Sequence, residues 1–404
     1  MSTGISFEWD GTAYYYSKAS HRIFKGPEVA LPARRPPTNR RFAVRSIWLN
    51  ISAGCNLLCD YCFNPPPAPD GSDLMTRQTA RQAVIMLARL WERGPRQDPP
   101  LVIFFGGEPL LNRDVLTHTI HFSREWTRET GVPFRYSIST NATLLTPIDI
   151  ALFSRERVLV QVSIDGPEPV HDYHRKFRGG SGSFSRALEN AHLLAANSSA
   201  PVTVRATAAA GTCQLSRTLR FLVDQGFKSI NIRVMEDNSH SGAAPGEWDA
   251  RSLEEDANAT VAELLRARER GVRCEPYGEQ ISSLRTGNYR SFVCGAGAAA
   301  LCVSPDGWVY PCHRFQGRSD YRVGRVSEEL DLGLCEKFAS LDSSSIAACR
   351  DCWAAPLCWG CCPGESVAAE LPLGEPNLAG CTARKLEALI ALKYAAARGM
   401  ALTA

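Results

Sequence analysis

Cys55, Cys59 and Cys62 stand in the string GCNLLCDYCF, and, with Cys335 set aside, nine more of the fifteen cysteines fall between Cys294 and Cys381. Thiolates are soft ligands that select iron–sulfur clusters, zinc or copper. Three cysteines on a four-iron cluster leave one iron open to a further ligand. A structural zinc normally requires four protein ligands, and no fourth candidate lies near Cys62. Cys213, Cys274 and Cys335 stand apart from both groups and read as buried small hydrophobes.

The N-terminal MSTGISFEWDGTAYYY lacks a signal-peptide pattern, and no apolar run is long enough to cross a membrane. The expectation is a cytoplasmic protein, in which fifteen cysteines point to metal ligation rather than disulfides. Lys plus Arg number 45 against 42 Asp plus Glu, a balance that gives no reason to invoke nucleic acid or a membrane surface as partner.

From residue 46, short β-branched runs alternate with amphipathic stretches. Strands are expected at 46–52, 101–105, 134–140, 158–165, 202–208 and 229–235, with a helix capped by Thr76 and another over 184–197. Parallel strands with right-handed helical crossovers imply an α/β fold, a partial (β/α)6 TIM-like barrel, whose strand C-termini carry the active face. The three early cysteines follow the first strand directly. Residues 1–42 read as a hairpin with an Asp-Gly turn and a linker, PARRPPTNR. Residues 43–245 form the barrel, 246–290 a linker with a helix near 249–271, 291–385 the cysteine-rich unit and 386–404 a C-terminal helix. The polar segment 236–248 reads as a boundary or a flap over the barrel mouth.

The spacing CxxxCxxC with Tyr61 as the aromatic resembles the cluster motif of the radical S-adenosylmethionine (SAM) superfamily. Gly106-Gly107-Glu108-Pro109 at the end of strand two resembles the family GGEP motif. Ser139-Thr140-Asn141-Ala142 is close to a family TNG with Ala in place of Gly, and Ser163-Ile164-Asp165-Gly166 resembles the SxDG element. The resemblance implies a [4Fe–4S] cluster on Cys55, Cys59 and Cys62. It further implies SAM held by Tyr61, Gly106, Gly107, Glu108, Pro109, Thr140, Asn141, Ser163, Asp165 and Arg205, and a 5′-deoxyadenosyl radical that abstracts hydrogen.

The later cysteines resemble the SPASM extension of peptide- and protein-modifying members. That resemblance assigns Cys294, Cys302, Cys312 and Cys362 to a first auxiliary cluster. Cys349, Cys352, Cys358 and Cys381 fall to a second, for three [4Fe–4S] clusters in all. Cys361 competes with Cys362, and a pair of zinc sites remains an alternative reading of this region. Either ligand set would staple a segment poor in large apolar residues.

Sulfatase-maturing relatives place an aspartate after the cysteine corresponding to Cys312, where it serves as base. His313 stands here, in PCHRFQG, which is similar to an element of maturases that crosslink ribosomally made peptides. The expected function is therefore a peptide maturase that installs an intramolecular thioether, carbon–carbon or ether crosslink in a precursor peptide. Formylglycine formation on sulfatases is the alternative. An electron carrier or zinc module is the alternative outside the enzymes, and it leaves the strand-end motifs unexplained. An external donor such as flavodoxin or ferredoxin and a separate leader-binding protein are further partners the resemblance implies. His313, His171, Asp172 and His174 are candidates for substrate or proton handling.

Overall fold

The computed structural model describes residues 4–27, 42–64, 74–96, 98–209, 214–234, 250–289, 291–292 and 294–403. Cys213, the PARRPPTNR linker and the 236–248 segment lie outside them. Six parallel strands form the centre of a ten-stranded sheet in chain order: Ser46–Ser52, Leu101–Gly106, Arg135–Thr140, Leu159–Ser163, Val202–Ala208 and Ser229–Val234. They coincide with the strands expected from sequence to within about two residues. Alternation sorts their side chains. Ile47, Leu49 and Ile51 of the first strand are buried in the main hydrophobic cluster, together with Ala80, Val84 and Leu87 of the helix Arg77–Glu92. Thr76 caps that helix, its hydroxyl accepting from Thr79 N at 3.1 Å.

Two short strands lengthen the parallel array. Arg273–Glu275 pairs with the sixth core strand, and Ala300–Val303 pairs with the first, Cys302 opposite Trp48. The sheet therefore runs without a break from the barrel into the cysteine-rich region. There a tight turn at Gly307 leads to Trp308–Tyr310, which pairs antiparallel with Ala300–Val303. The chain thus has a partial barrel of parallel strands with a cysteine-rich helical extension.

The N-terminal hairpin, Gly4–Trp9 and Thr12–Ser17 around Asp10-Gly11, gains a third strand, Arg22–Lys25. The C-terminal Leu402–Thr403 adds a fourth. His21 ties this small sheet to the rest, its ring nitrogens 2.7 Å from Tyr16 Oη and 2.8 Å from Ser283 Oγ. The C-terminal helix runs Leu378–Ala397, so it starts ahead of Cys381 and not at 386. Among the described residues, no helix is long and apolar enough to cross a membrane.

Candidate active site

The loop after the first core strand carries Cys55, Cys59 and Cys62 and is pinned from two sides. Leu57–Cys59 forms a short antiparallel ladder with Arg175–Phe177, which sets Cys59 opposite Arg175. On the other side, Gly107 N donates to Ser52 O at 2.8 Å and Glu108 N to Gly54 O at 2.9 Å. This close approach explains the glycine pair. Gly106 adopts φ +140°, and a β-carbon on Gly107 would stand 2.3 Å from Gly54 O.

Glu108 is fully buried and organises the third loop from within. Its carboxylate accepts from Leu110 N at 3.0 Å, Thr140 Oγ1 at 2.8 Å and Asn141 N at 2.8 Å. Burial pushes the carboxyl up to about 7, against those hydrogen bonds and nearby Arg113. Asn141 then reaches the cysteine loop, donating to Asn56 Oδ1 at 3.0 Å and lying 3.8 Å from Cys55 Sγ. Ala142 keeps φ +60°, the left-handed backbone that the glycine of TNG would adopt freely. Alanine bears about 1–2 kcal/mol in that conformation, and the extra chain entropy of glycine offsets about 0.5–1 kcal/mol of any relief. Ala142→Gly is therefore expected to stabilise the protein by up to about 1 kcal/mol in denaturant unfolding.

Asp165 sits at the end of the fourth strand's loop with both oxygens engaged. Arg175 donates from Nε at 2.7 Å and Nη2 at 3.2 Å, Thr207 N donates at 2.9 Å, and the Tyr61 hydroxyl completes the set. Burial alone would raise this carboxyl, but the Arg175 charge and the hydrogen bonds hold it below the usual range. Two donors on each oxygen fill its lone pairs. Asp165 and Tyr61 thus lock the cysteine loop to the fourth and fifth strands. The Arg175 guanidinium also lies over the Tyr61 ring, 5.3 Å from its centroid. Arg175 is the residue that sequence reasoning missed, although it directly follows the histidines singled out in HDYHRKF.

Those histidines serve the scaffold. His171 is buried, bonds Ser183 Oγ at 3.0 Å through Nε2 and accepts from Asp165 N at 3.3 Å through Nδ1. Burial pushes it down to about 4. Asp172 accepts from Ser183 N and Phe184 N at 2.8 Å, fixing the start of the helix Phe184–Asn197. His174 Nδ1 lies 2.8 Å from Asp60 Oδ1, and its ring packs 5.3 Å from that of Tyr61.

Ser163 and Arg205 face each other in register on the fourth and fifth strands. Arg205 donates to Gln161 at 3.1 Å, and its charge acts on Arg233 and on His313. His313 is boxed by Trp48, Phe105 and Phe63, with ring centroids at 4.5, 4.7 and 5.2 Å. Burial first, then Arg314 and Arg205, pushes it down to about 3, so the ring is neutral.

A cavity of about 530 Å³ opens between the two halves of the molecule. Cys55, Cys59, Cys62 and Gly107 line one wall, and Arg314 and Gln316 line the other. A second cavity, of about 270 Å³, is lined by Cys349, Cys352, Cys358, Cys361 and Cys381. Cys312 has Cys362, Cys294 and Cys302 as electrostatic neighbours. Cys274 and Cys335 are buried, as expected of isolated thiols.

Residues 49–209 match the radical SAM superfamily. The barrel of this chain is a radical SAM domain. Over 332 residues the chain is 24% identical to the cysteine-type anaerobic sulfatase-maturating enzyme of Clostridium novyi, with 77% of this chain and 85% of that protein aligned. Native anSMEcpe with bound AdoMet and Cp18Cys peptide shares its fold, with 20% identity and a TM-score of 0.70 over 87% of this chain and 97% of that one. Streptococcus suis SuiB bound to precursor peptide SuiA shares it at 15% identity and a TM-score of 0.60, over 84% and 76%. In this radical SAM chain the loop motifs are thus joined by Glu108 and Asp165, two buried carboxylates whose partners lie on different strands.

Proposed function

We propose that this radical SAM enzyme acts on a side chain of a peptide or protein, held in the cavity between the cysteine loop and the extension. The observation that carries the reading is the 530 Å³ space with three thiols on one wall and Arg314 and Gln316 of the extension on the other. Cys55, Cys59 and Cys62 would hold a [4Fe–4S] cluster, and the loops around Gly107 and Asn141 would receive SAM. When bound, these groups would supply hydrogen-atom abstraction from an unactivated carbon, with electrons from an external flavodoxin or ferredoxin. The chain's own residues position the substrate and exclude water: Trp48, Phe63 and Phe105 form an apolar wall around His313. Cys349, Cys352, Cys358 and Cys381, which line the 270 Å³ cavity, would hold a second such cluster. Cys294, Cys302, Cys312 and Cys362 would hold the other auxiliary cluster.

Of the two finer readings, oxidation of a cysteine or serine to formylglycine has the broader support. The sulfatase-maturating relative spans more than three quarters of this chain, and the structure with bound Cp18Cys peptide shares the fold. Crosslinking of a precursor peptide keeps one specific observation in its favour: His313, in its aromatic box, stands where an aspartate base would be expected. Incubation with SAM, reductant and a serine peptide from a sulfatase separates them. A product that has lost two hydrogens and reacts with a hydrazide is the expected aldehyde. An unreacted sulfatase peptide beside an internally crosslinked precursor peptide would select the second reading, and turnover of neither would overturn a peptide substrate.

A further inference from the structure

The N-terminal hairpin lies far from both cavities in sequence, yet one of its turns ends at the second. Residues 18–21 join the strands Thr12–Ser17 and Arg22–Lys25. Two buried side chains fix that turn: the Tyr16 hydroxyl bonds His21 Nδ1 at 2.7 Å, and His21 Nε2 lies 2.8 Å from Ser283 Oγ. Lys18 is thereby held against a segment 331 residues on in the chain. Its ammonium donates to Cys349 O at 3.4 Å and to Arg350 O, at the end of the single helical turn Ala347–Arg350.

Cys349 and Cys352 line the 270 Å³ cavity, as does Asp351. Burial lowers the Lys18 ammonium from its ordinary value, while the charges of Cys352, Asp351 and Cys349 act the other way. The lysine is half-buried, so solvent screens its charge only in part. Arg384 and Lys385 line the same cavity, but Arg384 also faces Glu387 at 3.4 Å.

We propose that Lys18 is a positioning residue of the second auxiliary site, tied to the ligand loop through its carbonyls, and that its positive charge raises the reduction potential of the cluster held there. The inference rests on the reading that this cavity holds a cluster. A one-electron reduction adds negative charge to a cluster already anionic on four thiolates. A cation beside two of those thiolates therefore stabilises the reduced form more than the oxidised one. The hairpin thus serves the cluster.

The test is a redox titration, followed by the electron paramagnetic resonance of the reduced clusters, on anaerobically purified parent, Lys18→Arg, Lys18→Met and Lys18→Glu. Cys352→Ser identifies the wave of this site, which it should lose with about a third of the iron. That wave is expected at the parent's position in Lys18→Arg, at lower potential in Lys18→Met and lower again in Lys18→Glu, with the other waves unmoved. The lysine variants should keep the parent's iron, because Cys349 N and Arg350 N retain their bonds to Ile346 O at 3.1 and 2.8 Å. A wave that stays in place in Lys18→Met and Lys18→Glu overturns the proposal. So does a wave that moves as far in Lys18→Arg as in Lys18→Met. Loss of the wave with its iron in Lys18→Met, beside a parent-like Lys18→Arg, also overturns it and leaves Lys18 a structural tie. If Cys352→Ser keeps all its iron and every wave, the cavity holds no cluster, and the underlying reading falls with the proposal.

Discussion

Arg175→Ala is expected to lower the free energy of unfolding by about 3–5 kcal/mol, because it leaves the carboxylate of Asp165 buried without its counter-charge. The Asp165 side chain is fully buried and that of Arg175 is 12% exposed, so solvent cannot screen the loss. The same side chain lies over Tyr61, and its backbone pairs with Cys59, so loosening is expected to spread into the cysteine loop. Asp165→Asn, whose one oxygen can accept from Thr207 N or from Tyr61 but not from both, removes the buried negative charge and should cost less than Arg175→Ala. The double variant should be no worse than Arg175→Ala alone, as coupling through one interaction requires. The pH dependence provides a further check. A carboxylate held below its usual range contributes stability that is present above the unfolded value, near about 4, and is lost as pH falls through the folded value. In Arg175→Ala the carboxyl becomes easier to protonate, so the stability gap to the parent should narrow on acidification. Urea midpoints at pH 7 and near pH 4 measure both effects, and a constant gap would mean that Asp165 has found another counter-charge.

Elements whose periodicity spans a full strand or helix were legible in the sequence, and the shorter ones were not. The six core strands each carry enough alternating residues to show which side chains face the helices. Arg273–Glu275 and Ala300–Val303 are too short to set a period of their own, and they form because the edges of the core sheet offer unpaired backbone groups. The sequence places the C-terminal helix only after Cys381, the last cysteine of the second ligand set. The helix nevertheless begins at Leu378, and at its far side Glu387 accepts from Val234 N at 3.3 Å and faces Arg233 at 3.7 Å.

At the site, Cys55, Cys59 and Cys62 follow the first core strand, and Glu108 and Asp165 follow the second and fourth. The partners that hold them are not set by spacing. The carboxylate of Glu108 accepts three internal hydrogen bonds that carry order from the second strand to the third. Asp165 meets Arg175 across a helix and meets Tyr61 across more than a hundred residues, and no local pattern links these positions. The aromatic box of His313 likewise draws Trp48, Phe63 and Phe105 from separate segments. Histidines next to a motif invite a catalytic reading, yet His171 and His174 have partners that account for their burial.

Replacing Cys55, Cys59 and Cys62 together by Ala is expected to abolish reductant-dependent 5′-deoxyadenosine production and to remove about four of about twelve irons. The fold should survive, because the loop is held by other groups. The ladder from Leu57 to Cys59, the Gly107 and Glu108 amides and the Asn141–Asn56 bond all use backbone or other side chains. The hydrogen bonds to Cys55 sulfur are long, 3.4 Å from Leu57 N and 3.8 Å from Asn141 Nδ2, and contribute little. An unchanged far-UV circular dichroism spectrum beside lost SAM cleavage would therefore assign the chemistry to the thiols and not to the loop's shape. Cys352→Ser gives the complementary result. It should lose about as much iron while SAM cleavage persists, since Cys352 lines the other cavity. If instead the triple variant kept its iron, or the parent held zinc, the three thiols would not be cluster ligands. The 530 Å³ cavity would then be a binding site without radical chemistry.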